Sequence, residues 1–201
     1  MITIKKEHLK AVSLFAAKAS EGRYYLNAVH IESDGKDTRL VATNGHILGM
    51  TLIDVELPVL SLIIPLEAVV SALKIKTDEY VITYQDNQEA GADQGMQGTI
   101  EAGSQSISFT SINTKYPDIN KVIPDSVNNE AACFHPALVE TIAKAAKLLK
   151  GGEVYIHNNG TGAAIVKLSN YFDFFGVIIP CRDNVNLEMI PHWVKSSPVK
   201  L

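Results

Sequence analysis

The sequence has few cysteines and no long apolar run. Its two cysteines, Cys133 and Cys181, lie far apart and form no CxxC pair, so neither a disulfide framework nor a cysteine zinc site is indicated. The longest apolar run, residues 59–66, is interrupted by Ser61 and Pro65 and is too short to cross a bilayer. Residues 1–7 lack the continuous apolar region of a signal peptide. These absences predict a cytoplasmic protein.

Recognisable catalytic and metal-binding patterns are also missing. No serine stands in a nucleophile-elbow sequence, and no acid stands at a recognisable spacing from a base. The six histidines are scattered and do not follow a metal-site pattern. A lone histidine after an Asn-Gly pair, such as His46, is more often a turn residue than a catalyst. We therefore predict a protein that is not an enzyme and needs no metal or other cofactor.

The charge balance leaves nucleic-acid binding open. The chain of 201 residues has a net charge of −4 and a pI near 5.8, whereas domains that coat DNA by bulk attraction are usually basic. A protein can still concentrate its lysines on one face, and local fields decide phosphate contacts. The length suits one large domain or two small ones, and 46% hydrophobic residues are ordinary for a soluble globular protein.

The same order of elements occurs three times along the chain. Apolar periodicity predicts a helix over residues 7–19, a second over 66–73, and a third that begins after residue 135 and ends near 150, before Gly151 and Gly152. Each helix is followed by three predicted strands. Those strands cover residues 24–32, 38–43 and 46–53, then 79–84, 98–102 and 106–111, and finally 153–157, 163–168 and 172–179.

The second and third units also resemble each other in sequence. Residues 79–82 read EYVI and residues 153–156 read EVYI, each soon after an apolar helix. Element order and residues together favour an internal repeat. We predict an α+β fold of three helix-plus-three-strand units, with an insertion over 86–97, a linker over 116–130 and a tail over 183–201.

Three stretches resemble one known family in the order in which that family carries them. Residues 23–27 (RYYLN), followed by 40–46 (LVATNGH), are similar to the middle domain of the bacterial DNA sliding clamp, the beta subunit of DNA polymerase III. Residues 116–124 (YPDINKVIP) resemble the segment that joins its middle and last domains, and residues 177–182 (VIIPCR) resemble its C-terminal end. The resemblance covers about residues 7–182 and implies the DNA-clamp fold, with antiparallel sheets outside and helices inside.

The chain also departs from the family. The family's chain has three domains of two units each, whereas residues 1–124 resemble one complete domain and residues 125–182 only the second half of the last one. Asn44 stands where the family usually has aspartate, and Ile47 where it usually has arginine. The tail over 183–201 has no counterpart.

The resemblance implies a pocket for a short apolar peptide between the middle and last domains. The alternative is that its apolar residues are ordinary strand core. Carried over position by position, the pocket would comprise Leu26, Thr43, Gly45, His46, Ile47, Leu48, Pro117, Val122, Val177, Ile179, Pro180 and Arg182.

The resemblance also places the helices on the inner wall of a ring around duplex DNA. Lysines there would contact phosphates without reading sequence, although each could equally be part of a solvated helix face. The lysines expected to face DNA are Lys10, Lys18, Lys74, Lys76, Lys144 and Lys147.

The function implied is that of a sliding clamp, a processivity factor that encircles double-stranded DNA and tethers DNA polymerase and other clamp-binding proteins. A clamp loader would be a further partner. Family rings contain twelve units, so chains of three units would close a ring as a tetramer. The alternative is a clamp-like decoy or accessory module that binds clamp-interacting peptides without encircling DNA. The tail over 183–201 would serve assembly or occupy a peptide pocket.

Overall fold

The computed structural model describes residues 1–85 and 95–182. Three α-helices and eleven strands lie in this part of the chain. In chain order they are β1 (Ile2–Lys5), α1 (Lys6–Ser13), β2 (Ala28–Ser33), β3 (Thr38–Thr43), β4 (Ile47–Ile53), β5 (Leu60–Pro65), α2 (Leu66–Leu73), β6 (Glu79–Tyr84), β7 (Gln97–Ala102), β8 (Gln105–Thr110), α3 (Pro136–Leu148), β9 (Val154–His157), β10 (Ala164–Leu168) and β11 (Phe174–Ile178).

These elements form three repeats of a helix followed by three strands, as the sequence predicts. Unit one runs from β1 to β4, unit two from β5 to β8, and unit three from α3 to β11. The sequence did not reveal β1 and β5, the short strands that precede the first two helices. These strands connect the units, because β1 pairs with β6 of unit two and β5 pairs with β2 of unit one.

All the strands pair antiparallel in two sheets. The smaller sheet has the order β1-β6-β7-β8, and the larger has the order β5-β2-β3-β4-β11-β10-β9. Unit three joins unit one where β11 pairs with β4, from Phe174 opposite Thr51 to Ile178 opposite Ile47. Helix α1 packs against both α2 and α3. One main apolar core lies between the helices and the two sheets, as expected for alternating strands with one buried face.

The first helix is shorter than its apolar periodicity suggests. Helix α1 ends at Ser13, and the chain then turns back through two short 3-10 helices, Ala19–Glu21 and Tyr24–Leu26. The side-chain amide of Asn27 donates to the carbonyl of Ala17 (2.6 Å), and the Ala17 amide donates to the carbonyl of Leu26 (3.0 Å). These bonds hold residues 17–27 as a loop, so Lys18 is not on a helix and the predicted strand over 24–32 starts only at Ala28.

The other predicted elements lie within two residues of those observed. The predicted insertion over 86–97 falls mostly, and the tail over 183–201 wholly, outside the described residues. None of the described helices is both long and apolar enough to cross a membrane.

Candidate functional site

The hairpin between β3 and β4 forms the first wall of a pocket. Asn44 accepts hydrogen bonds through Oδ1 from the backbone amides of His46 (2.9 Å) and Ile47 (3.1 Å). The Thr43 hydroxyl donates to the carbonyl of Ile47 (2.7 Å) and accepts from the Gly45 amide (3.0 Å). Short polar side chains that bond to the nearby backbone stabilise tight turns in this way. The turn therefore has a fixed shape, with His46 exposed at its tip.

Arg23 lies across this turn. Its guanidinium donates from Nη2 to the carbonyl of Asn44 at 2.9 Å. Gly45 has a φ of +87°, and a Cβ built on it would lie 2.5 Å from Nη1 of Arg23. The left-handed backbone at this position favours glycine, whereas the exposed end of the Arg23 side chain can move away from a Cβ. The pocket thus has a cation at its rim, beside Tyr25 and bonded to the turn.

The linker after unit two forms the second wall. Tyr116 is buried and stacks on His30 of β2, with 4.4 Å between ring centroids and 25° between ring planes. The His30 Nε2 shares a hydrogen bond with the Ser61 hydroxyl (2.8 Å), and His30 Nδ1 lies 3.3 Å from a carboxylate oxygen of Glu32. Burial lowers the pKa of His30 from 6.5 to about 4 and raises the pKa of Tyr116, so both rings are neutral near pH 7.

Beyond Tyr116 the linker turns into a 3-10 helix, Ile119–Val122. Asp118 caps this helix, accepting from the backbone amide of Asn120 (3.2 Å). Ile119 is buried, whereas Val122 is 44% exposed and faces the pocket. The stack on His30 therefore anchors a short segment that presents one buried and one open apolar side chain.

Strand β11 of unit three forms the third wall. Val177 lies opposite Leu48 in the β4–β11 ladder, and the Ile179 amide donates to the carbonyl of His46 (2.9 Å). Leu26, Leu48 and Val177 belong to a second, smaller apolar cluster that also contains Tyr116 and Ile119. The pocket therefore lies at the junction of unit one, the linker and unit three.

The three walls enclose a cavity of about 320 Å³, a volume within the range of small-ligand sites. Ten of the twelve residues expected from the sequence line it. The lining consists of Arg23, Tyr25, Leu26, Thr43, Gly45, His46, Ile47, Leu48, Pro117, Asp118, Ile119, Val122, Val177 and Ile179.

Two expected residues lie outside this lining, and four others were missed. Pro180 is buried next to the pocket, and Arg182 is exposed beyond it, because the chain leaves the cavity after Ile179. Arg23, Tyr25, Asp118 and Ile119 were not anticipated, although all four lie in the stretches that carry the resemblance. The local bonds of Arg23 and Asp118 explain their positions, but such bonds leave no periodic signal in a sequence.

The six lysines expected to face DNA are all exposed. Lys10 lies on α1, whereas Lys144 and Lys147 lie on α3; Lys74 and Lys76 follow the end of α2. Lys144 pairs with Glu140 at 2.8 Å on the same helix face, as its spacing predicts. Lys18 lies instead in the loop after α1. The contacting helices thus carry or adjoin five of the six lysines.

No group of three or more histidine, cysteine or acidic side chains that could hold a metal ion occurs in residues 1–85 and 95–182. The cavity is lined mainly by aliphatic side chains, with an arginine, a histidine and an aspartate near its edge. Such a surface is suited to hold apolar side chains and to orient them by a few polar contacts. It resembles a recognition site more than a reaction site.

Comparisons with known proteins relate the chain to one family. The family described as "DNA polymerase III beta subunit, central domain" matches residues 3–118. The beta sliding clamp of Pseudomonas aeruginosa is 31% identical over 115 residues, which are 55% of this chain and 29% of that protein. The beta sliding clamp of Escherichia coli K12 is 27% identical over 160 residues, which are 72% of this chain and 40% of that protein.

The fold agrees with solved clamp structures. A sliding clamp of Pseudomonas aeruginosa bound to griselimycin superimposes with a TM-score of 0.67 at 17% identity. The match covers 90% of this chain and 65% of that one. The chain thus spans well under half the length of the curated relatives it matches, and its fold is that of the clamp family.

Proposed function

We propose that this chain, which belongs to the DNA polymerase III beta subunit family, is a DNA sliding clamp that tethers polymerase-type partners through its apolar pocket. The observation that carries the proposal is the position of that pocket. It is built from the three stretches that resemble the family, although these are separated by up to about 130 residues in the chain. The family consists of non-enzymatic processivity factors, so the role requires no catalytic site.

The proposed partner segment is a short linear peptide with apolar side chains. The cavity holds about 320 Å³, enough for a few side chains but not for a folded domain. Arg23 and His46 at the rim offer donors for backbone carbonyls or acidic groups of the peptide. Ile47, where the family usually has arginine, is 3% exposed, so it acts through the shape of the apolar wall.

The proposed nucleic-acid partner is double-stranded DNA, bound without sequence preference. Support comes from the exposed lysines on or next to α1, α2 and α3. Because the chain as a whole is negatively charged, it can attract phosphates only where lysines are concentrated locally. The chain supplies residues 1–124 as one clamp domain and residues 125–182 as half of another. It would act in the cytoplasm, with a clamp loader to place it on DNA.

The proposed assembly is a ring of four chains and twelve units. Strand β8 ends the smaller sheet on one side, and it is the last strand of unit two. The last strands of units one and three, β4 and β11, already pair with each other within the chain. The β8 edge, unpaired within the described residues, could pair in the same way with another chain, which supports one of the two contacts that each chain of a closed ring needs.

The first test is the mass of the native protein by light scattering, followed by retention on nicked circular DNA. A tetramer that stays on circular DNA but slides off linearised DNA is the expected result. A protein that binds clamp-interacting peptides but is never retained on circular DNA would instead be the decoy or accessory module.

The pocket has a ready probe in griselimycin, which is bound to a Pseudomonas aeruginosa clamp in a solved structure. We expect Val122→Asp to weaken griselimycin binding about tenfold or more, because it puts a charge into an apolar wall. Leu52→Asp is the matched control, since Leu52 is 41% exposed and lies outside the cavity. Calorimetry that finds both variants equally affected, or the wild type unable to bind, would contradict the assigned pocket.

A further inference from the structure

Units one and two complete each other in a reciprocal way. The strand before each helix leaves its own unit and pairs with the first strand after the helix of the other unit. In both pairings the last residue before the helix lies opposite the first residue of the partner strand, Lys5 opposite Glu79 and Pro65 opposite Ala28. Within the described residues, β1 and β5 each pair with one strand only.

Unit three has the same two parts, a first strand after its helix and a segment before its helix, but neither of them pairs with another unit in the described part of the chain. Strand β9 is the last strand of the larger sheet, and no strand of the described residues pairs with its outer edge; the linker instead bonds to the turn after it, at Asn158 and Gly160. Residues 131–135 directly precede α3, as β1 and β5 precede their helices, yet they form no strand. Their side chains alternate between exposed and half-buried, the pattern of a strand with one face toward a core.

The segment before α3 accepts a backbone hydrogen bond equivalent to one that β5, its counterpart in unit two, accepts. In unit two, the Ile112 amide, just past β8, donates to the carbonyl of Ile63 in β5 (2.9 Å). In unit three, the Cys181 amide, just past β11, donates to the carbonyl of Cys133 (2.8 Å). Ile63 and Cys133 each stand two residues before the last residue ahead of the helix. Residues 131–135 are therefore positioned like β5, which pairs on its other side with a strand of another unit.

Three apolar side chains of unit three are also less completely buried than the equivalent side chains of units one and two. The fourth residue of each helix is Leu9, Val69 or Val139; the first two are 0% exposed and Val139 is 38% exposed. The two core positions of β9, Val154 and Ile156, are only partly buried.

The positions equivalent to Val154 and Ile156 are Val29 and Ile31 in β2 and Tyr80 and Ile82 in β6, all fully buried. Unit three thus has an apolar side that its counterparts cover with a partner unit.

We infer that a second copy of this chain covers that side, with unit three of each copy completing the other across a two-fold axis. The register of units one and two places His135 opposite Glu153 of the second copy and Cys133 opposite Tyr155 of the second copy. Phe134 and Ala132 then meet Val154 and Ile156 of the second copy on the core face. A single two-fold axis thus pairs residues 131–135 of each copy with β9 of the other, as an isologous contact requires.

Polar pairing and sheet continuity favour a second copy over an unrelated partner. Lys5 lies opposite Glu79 at the start of the β1–β6 pair, and His135, whose Nδ1 accepts from the Ala137 amide (3.2 Å), keeps its Nε2–H to donate to Glu153 of the second copy at the equivalent place. The pairing also extends the larger sheet from β9 into the second copy without a break. The inference rests on the fold alone and holds whether or not the assembly encircles DNA.

Disulfide trapping tests the register directly. In a Cys181→Ser background, Tyr155→Cys places a thiol opposite the native Cys133 of the second copy, and Tyr155 is 54% exposed, so the fold tolerates the change. Mild oxidation with copper phenanthroline should convert most of the protein to a reducible covalent dimer at low micromolar concentration. The matched control Ile156→Cys, one position along but facing the core, should not cross-link, and Cys133→Ser should abolish the dimer.

A second variant separates this interface from the DNA proposal. Val139→Glu buries a charge at the inferred contact in both copies, and we expect it to weaken association through unit three about a hundredfold or more. Val70→Glu on α2, where Val70 is 42% exposed, is the control that should leave association unchanged. Sedimentation without DNA measures both, and circular dichroism verifies that each variant folds.

A covalent dimer from Tyr155→Cys, together with dissociation by Val139→Glu alone, supports the inference even if the protein never binds DNA. Absence of the dimer, equal cross-linking at Ile156→Cys, or unchanged mass for Val139→Glu would overturn it, because another segment or partner would then cover unit three. Failure to be retained on circular DNA would bear only on the clamp function.

Discussion

The stability of the protein should fall in mild acid because of one buried histidine. His30 is 4% exposed, and burial lowers its pKa from 6.5 to about 4. The unfolded chain binds a proton on this residue as the pH falls below 6.5, whereas the folded chain does not until about pH 4. The contribution of neutral His30 is therefore complete above pH 6.5 and is lost progressively between pH 6.5 and about 4.

The size of the effect follows from those two pKa values. The gap between them corresponds to about 3 kcal/mol in the free energy of unfolding once the pH is below both, and to about 2 kcal/mol at pH 5. Replacing His30 by Gln keeps a hydrogen-bonding group near Ser61 but removes the titrating proton. The variant should therefore lose about 2 kcal/mol less than the wild type between pH 7.5 and pH 5.

Urea unfolding followed by circular dichroism, at fixed protein concentration and both pH values, measures this difference. His46→Gln is the control, since His46 is exposed at the tip of the hairpin and should show the wild-type loss. Equal losses for wild type and His30→Gln would refute the argument. Because His30 stacks on Tyr116 and so anchors the pocket wall, we also expect griselimycin binding to weaken only as the pH nears about 4, where His30 of the folded protein becomes protonated.

Two further predictions concern the hairpin and the lysines. Gly45→Ala should lower the free energy of unfolding by about 1–2 kcal/mol, because alanine is strained at a φ of +87°. Urea unfolding measures the change, and an unchanged free energy of unfolding would mean that the turn relaxes to a conformation that alanine adopts without strain. Replacing Lys144 and Lys147 together by Gln should weaken binding to duplex DNA and reduce the slope of log affinity against log salt by about 1–2. Lys36, in the turn between β2 and β3, is the control, and an equal change in slope for Lys36→Gln would remove the helices from the proposed DNA face.

Local sequence was a good guide to the elements wherever they satisfy their own periodicity. Helix α2 and strand β6 have the predicted bounds, because each combines a clear apolar pattern with neighbouring turn residues. The Asn-Gly turn before β4 was also predictable, since few residues adopt a positive φ there. Helix α1 was predicted too long, because the bonds of Asn27 and Leu26 to Ala17 come from residues that follow the helix.

Most of the pocket could be listed from the sequence only because three stretches resemble a known family. Without that resemblance, Leu26, Leu48 and Val177 would be indistinguishable from ordinary strand core, since alternating apolar residues occur in any sheet with one buried face. Arg23 and Asp118 escaped notice because their positions depend on single hydrogen bonds to a neighbouring turn and helix end.

By itself, the sequence determined the repeat of a helix and three strands, because apolar period, turn residues and element order are local properties. Only the tertiary structure decided how the units join, with β1 and β5 exchanged between units one and two and with β11 placed beside β4. Strand pairing depends on contacts between residues far apart in the chain, and no local pattern encodes which edge meets which. For the same reason, the sequence did not show that β9 has an edge unpaired within the described residues or that Val139 is exposed. These features became evident only when the structure showed that units one and two bury the equivalent positions in each other.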